Sequence, residues 1–203
     1  MASSLDESID LKKQFHTTLA LVRTISAFLT EMENVCKPHV DRISNLLEQY
    51  QCCADVDPLL LPRKVDFMDI KKKLLFKITQ EINKEIDAVL VFVRKLGHYS
   101  DRLCHHCDHC MSRYRSSFST MDTEIVTQAS PKQPSITDIL EMLDECCRGV
   151  RERFLCKQLL LTSLDSAHPR VGDSLGRDWG EGDRAVCSHL TECLTVCGDV
   201  LGS

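Results

Sequence analysis

The chain has 203 residues, 43% of them hydrophobic, with 25 Lys and Arg against 30 Asp and Glu for a net charge of -5. That is enough apolar material for a domain-sized core, which excludes disorder throughout, and the acidic balance argues against a surface that holds a polyanion by bulk attraction. The start, MASSLDESIDLKKQF, lacks the basic and apolar regions of an export signal, and the longest apolar run, Ala88–Val93, falls far short of the ~20 residues of a membrane span. The expectation is a soluble intracellular protein, without membrane contact, whose 12 cysteines stay as thiols.

From Leu5 to Val35 apolar residues recur at helical spacing in two adjacent rows. Phe15, Leu19, Val22 and Leu29 form one, and Leu21, Ile25, Phe28, Met32 and Val35 the other. A stripe that wide faces more than one neighbour, and it predicts a helix over about 5–35. Pro38 has no backbone donor and disfavours helix at Lys37, so a kink or restart is expected there. A second helix follows over about 39–53, through Val40, Ile43, Leu47 and Tyr50, and the two prolines of DVDPLLLPRK (55–64) end it.

The next segment is the longest. Ile82, Ile86, Val89, Val93, Leu96, Ser100, Leu103, Cys107, Cys110 and Tyr114 alternate spacings of four and three, the 3.5-residue period of a coiled-coil seam. With DFMDIKKKLLFKI upstream, a helix is expected over about 66–117, roughly 75 Å at 1.5 Å per residue, with a bend allowed at Gly97. TQASPKQPS (127–135) reads as a linker, and SITD (135–138) as an N-cap whose hydroxyl satisfies free backbone donors, with an acid three residues on. The helix it opens, over 135–164, repeats the rhythm through Ile136, Leu140, Leu143, Cys147, Val150, Phe154 and Leu161, interrupted near Lys157.

The stretch HPRVGDSLGRDWGEGDR is glycine-rich and charged, so 165–184 is expected to be a flexible linker in which Trp179 is an exposed residue. A short amphipathic segment, 185–203, carries Val186, Leu190, Cys193, Cys197 and Val200. No strand-like alternation and no solenoid repeat occur. The predicted fold is all-α: an elongated antiparallel helical bundle or coiled coil with one very long central helix, its bundle domain over 1–164.

The residues richest in chemistry are CHHCDHC, Cys104–Cys110. Cys107 and Cys110 fall on the seam, where a compact thiol packs like a small hydrophobe, so core cysteines with surface histidines are the favoured reading. A zinc-binding helical module nucleated on Cys104–Cys110 is the alternative. It needs four ligands, of which one helix aims two or three, and the other pairs, Cys52–Cys53 and Cys146–Cys147, are adjacent rather than spaced. A nucleophilic cysteine needs a positioned base and an oxyanion site, which neighbours on one helix do not supply, and no strand-borne phosphate loop occurs. No catalytic residue, cofactor or metal is therefore expected. Lys71–Lys73, with Arg63, Lys64 and Lys77, reads as a solvated face, without direct nucleic-acid binding. A helix as long as the central one would leave apolar positions uncovered by its own chain, so the candidate partner-interface residues are Val89, Val93, Leu96, Leu103, Leu140 and Leu143.

The order of these pieces, with SNLLEQYQ (44–51), the proline-broken connection, the long helix ending near Tyr114, and PSITDILEMLDE (134–145) followed by FLCKQLLLTSL (154–164), resembles the AAA-ATPase-interacting ribosome maturation factor (AIRIM) family over Leu11–Leu164. Beyond His168 the chain departs from that pattern. The resemblance implies a non-enzymatic adaptor subunit of a complex built on a pair of related AAA ATPases. Its further partner would be a small coiled-coil protein that binds a cyclin-dependent kinase. It implies release of a shuttling assembly factor from late cytoplasmic large-subunit pre-ribosomes, contacted indirectly, and action on replisome proteins at chromatin, hence residence in cytoplasm and nucleus.

Overall fold

The computed structural model describes residues 2–57, 66–117, 134–164 and 170–201. All their regular structure is helical: α1 (Ala2–Asp55), α2 (Phe67–Ser117), α3 (Ile136–Thr162), α4 (Arg170–Gly180) and α5 (Asp183–Leu201). The all-α expectation holds, but the single very long helix does not, because α1, at 54 residues, exceeds α2, at 51. The break expected at Lys37 is absent: α1 runs through Pro38. Met32, Cys36, Val40 and Ile43, each at most 1% exposed, keep helical spacing on both sides of the proline. Their collective burial outweighs the one backbone hydrogen bond that Pro38 forfeits. The linker core, 127–133, and the prolines of 55–64 lie outside the described residues.

The chain divides into two compact units. The first comprises Met1–Thr30, Lys95–Phe154 and Gly182–Ser203, and the second Glu31–Arg94 and Leu155–Glu181. In the first unit α1 and α2 run antiparallel. Asp10 pairs with Arg113 at 3.3 Å, Thr18 Oγ1 lies 3.5 Å from Cys110 Sγ, and the Phe28 and Tyr99 rings meet at 5.0 Å. Gly97 marks a close approach within an unbroken helix, since a Cβ there would lie 2.7 Å from the Phe154 ring.

The capping box of α3 is present in both directions. Asp138 N–H donates to Ser135 Oγ at 3.1 Å, and Ser135 N–H donates to Asp138 Oδ2 at 2.8 Å. Hydrogen bonding from the Ser135 side chain, then from its backbone N–H, holds the Asp138 carboxyl below its usual range. Arg153 of α3 donates to Asp183 at the start of α5 at 2.8 Å, both side chains under a tenth exposed. Gly182, at φ +78°, makes the turn before α5 and leaves room for the Arg153 guanidinium, whose Nη1 a Cβ would meet at 2.9 Å.

The second unit corrects the expected flexible linker. Within 165–184, Arg170–Gly180 form α4, with Leu175 and Trp179 buried at 0% and 2% exposure. The physical reason is Lys157. It occupies the position at which the α3 seam seemed interrupted, and it is 1% exposed. Its ammonium donates to the Trp179 carbonyl at 2.7 Å and lies 4.2 Å from the Trp179 ring centre. The last carbonyls of a helix have no intrahelical partner and favour a cation, and an indole face attracts the same charge. Each of the two sequence anomalies, a lysine in a seam and a tryptophan among glycines, thus resolves the other.

Candidate partner-docking surface

The sequence-predicted interface residues are core residues of the chain itself. Val89, Val93, Leu96 and Leu103 on α2 and Leu140 and Leu143 on α3 are each at most 5% exposed. The seam is internal packing, and the expectation that it lies open for a partner is corrected: a second long helix, α1, together with the later helices, covers what one helix would have exposed.

The cysteines follow the core reading in part. Cys110 is fully buried, and burial pushes its thiol up. Cys107 is half-buried and donates to the Leu143 carbonyl at 3.5 Å, while His105 is exposed and His106 and His109 are half-buried. Among the described residues no set of three or more His, Cys, Asp or Glu is arranged to hold a metal ion.

Among the described residues the large exposed apolar side chains lie in the second unit. Val35, Val56, Met68, Ile70, Leu74, Phe76, Val91, Leu155 and Leu159 are the large apolar side chains exposed among the described residues, from 39% for Val35 to 67% for Leu159, and all belong to that unit. Contiguous apolar exposure is the feature that marks interaction sites, whereas scattered exposure is ordinary. Here it is organised. The end of α1 supplies Asn45, Glu48, Gln49, Cys52 and Cys53, with Val56 just beyond it, and the start of α2 supplies Phe67, Ile70, Lys71, Leu74 and Ile78, to one groove of about 680 Å³. Both sets recur at three- and four-residue spacing, so each helix lines the groove with one face.

Local chemistry holds these two helix ends together. Asp66 Oδ1 accepts from Asp69 N–H at 3.1 Å and caps the start of α2. Lys71 donates to the Ala54 and Val56 carbonyls at 2.6 and 2.7 Å, so one lysine of the basic run caps the end of α1 rather than standing free in solvent. Further along, Glu85 of α2, 8% exposed, accepts from His39 at 2.5 Å and from Arg42 at 3.2 Å, both on α1. The hydrogen bond from His39, then that from Arg42, holds the Glu85 carboxyl below its usual range against the opposing effect of burial. The groove escaped sequence reading because Ile70, Leu74 and Ile78 belong to a periodic run that looks like core. The only sequence signal was the surplus apolar residues Met68 and Phe76 off that row.

Comparison with known proteins turns on the helices that build these units. A family model described as CA109-like, ribosome biogenesis protein C1orf109-like, matches residues 10–191. The chain belongs to that family. The match extends past the Gly-rich stretch and into α5, beyond the Leu11–Leu164 span on which the resemblance was read. Among relatives, the AFG2-interacting ribosome maturation factor of Xenopus tropicalis is 27% identical over 162 residues, 78% of each chain. Its Homo sapiens counterpart is 26% identical over 157 residues, covering 70% of this chain and 74% of its own length. The resemblance read from the order of helices is therefore upheld. No helix among the described residues is long and apolar enough to cross a membrane.

Proposed function

We propose that the chain is a non-enzymatic adaptor that binds a AAA ATPase of the AFG2 type during ribosome maturation, and that the apolar groove between the end of α1 and the start of α2 is its docking surface. The relatives, AFG2-interacting ribosome maturation factors by name, support the ATPase as partner. The observation that carries the site is the confinement, among the described residues, of large exposed apolar side chains to the second unit. Fully burying such a side chain is worth about 1.5–3 kcal/mol, and with Val56, Ile70 and Leu74 46–48% exposed about half of that remains for each, so together they supply a usable fraction of a protein–protein affinity. On α3, Leu155 and Leu159, four residues apart and 46% and 67% exposed, form a stripe suited to a helix of the small coiled-coil partner. Action in late cytoplasmic large-subunit maturation through release of a shuttling factor, action on replisome proteins, and residence in cytoplasm and nucleus complete the reading, and the family resemblance supports them.

The test is Ile70→Asp with Leu74→Asp in the full chain, followed by affinity purification from cells and measurement of the co-purified ATPase. These side chains are 48% and 46% exposed, so the variant is expected to keep its helical circular dichroism while losing most of the ATPase. A folded variant that retains the ATPase at the unmodified level moves the docking surface elsewhere.

A further inference from the structure

Two half-buried thiols on different helices of the first unit are in contact. Cys104 on α2 and Cys147 on α3 place their sulfurs 2.7 Å apart, and neither is in a disulfide. Closing that gap to the ~2.05 Å of a disulfide needs a movement of roughly 0.7 Å, which half-buried side chains accommodate by small rotations. The surroundings favour reaction over inert packing. The neighbouring Cys107 thiol, one turn after Cys104, and then Cys104 itself draw the Cys147 thiol down to about 6 against burial and the nearby Asp144 and Asp108. Cys104 itself is pushed up to about 11, by burial first and its bond to Cys147 second, and Arg151 Nη1 stands 4.0 Å from its sulfur. Of the two touching thiols Cys147 is thus the more readily ionised, with Cys104 in contact to resolve it, the microenvironment of a reactive rather than a structural cysteine.

We propose that Cys104 and Cys147 form a redox-responsive pair that a hydroperoxide converts into a disulfide joining α2 to α3. In the first step the Cys147 thiolate attacks one peroxide oxygen and the O–O bond breaks. The leaving oxygen departs as hydroxide and takes up a proton to become water, and Cys147 becomes a sulfenic acid. In the second step the Cys104 sulfur attacks the Cys147 sulfur and the S–O bond breaks. The departing hydroxide takes the Cys104 proton as water. The sum is two thiols and one hydrogen peroxide giving one disulfide and two waters, with both sulfurs oxidised and the peroxide reduced. A dithiol reductant reverses it by exchange. The bond encloses the connection between α2 and α3, so the oxidised chain gains stability chiefly by restricting its unfolded state.

The experiment treats the purified full chain with hydrogen peroxide, blocks remaining thiols and maps cross-linked peptides by mass spectrometry. Cys104 shares its tryptic peptide with Cys107 and Cys110, and Cys147 shares its own with Cys146, so single serine variants assign the bond. The cross-link is expected to persist in Cys107→Ser, Cys110→Ser and Cys146→Ser, and to vanish in Cys104→Ser and Cys147→Ser. A sulfenic acid that dimedone traps at Cys147 is expected in Cys104→Ser. Oxidation is expected to raise the melting temperature of the unsubstituted chain by roughly 5–15 °C, reversibly on addition of dithiothreitol. Circular dichroism of each variant before oxidation establishes that it is folded, and Cys104→Ala replaces Cys104→Ser if the latter is not. A cross-link that survives in folded Cys147→Ser, one that needs Cys107 instead of Cys104, or none in the unsubstituted chain overturns the assignment.

Discussion

Replacing Trp179 by alanine tests whether α4 is a structural member of its unit. The indole is 2% exposed, and truncating a buried Trp or Phe to Ala costs about 3–5 kcal/mol in lost transfer energy and cavity. The change also uncovers the Lys157 ammonium, which is 1% exposed and 4.2 Å from the ring, and a buried cation without its cover adds to the loss. For a chain of 203 residues the expected fall in melting temperature is roughly 6–20 °C, at 2–4 °C per kcal/mol. Lys157→Met is the informative partner. It puts an apolar residue of similar length at a seam position and removes the ammonium from the interior, with an expected cost below about 1.5 kcal/mol. In the double variant the lysine penalty is gone, so the combined loss is expected to be smaller than the sum of the single losses. Urea unfolding followed by circular dichroism gives the three free energies, and hydrogen exchange reads the protection of Arg170–Gly180 directly. A Trp179→Ala loss under about 1 kcal/mol, or a Lys157→Met loss exceeding it, would refute the argument that these residues are bound together in the core.

Val93→Glu with Leu103→Glu is expected to abolish helical circular dichroism, because both side chains are at most 2% exposed and taking a carboxylate out of water there is costly; a folded variant that only loses a partner would restore the seam as an interface. Gly182→Ala is expected to cost at least about 1 kcal/mol, since the new side chain meets the left-handed backbone penalty and the residue's φ is +78°. Its Cβ also crowds Arg153, so double-variant unfolding with Asp183→Asn should show coupling. Glu85 has a lower carboxyl pKa folded than the ordinary 4.5, so the stability it contributes is complete above the unfolded value and is lost as pH falls through the folded one. Unfolding measured from pH 6 down to pH 3 is expected to show a shallower decline in Glu85→Gln than in the unsubstituted chain.

Helical class, the capped start of α3 and the apolar faces were legible in the sequence, because each depends on residues within a few positions of one another. The rows Phe15, Leu19, Val22 and Leu29, and Val186, Leu190, Cys193 and Cys197, are buried as their periodicity predicts. Ser135 and Asp138 exchange the two bonds that their three-residue spacing allows. The family, too, was readable from the order of those pieces. What the chain could not reveal locally was what covers each face. Periodicity shows that Val93 and Leu103 will be buried, but it reads the same whether the cover is another protein or α1 of the same chain. Pro38 and the glycines around Trp179 carry local penalties of about 1–3 kcal/mol, and these set the sequence-based expectation of a kink and a flexible linker. Tertiary packing reversed both, since the side chains flanking Pro38 bury collectively more than one lost hydrogen bond is worth, and Lys157 lends α4 a contact from a distant helix. The docking groove and the Cys104–Cys147 contact belong to the same class of fact: each joins helices whose register against one another is settled only when the whole core closes.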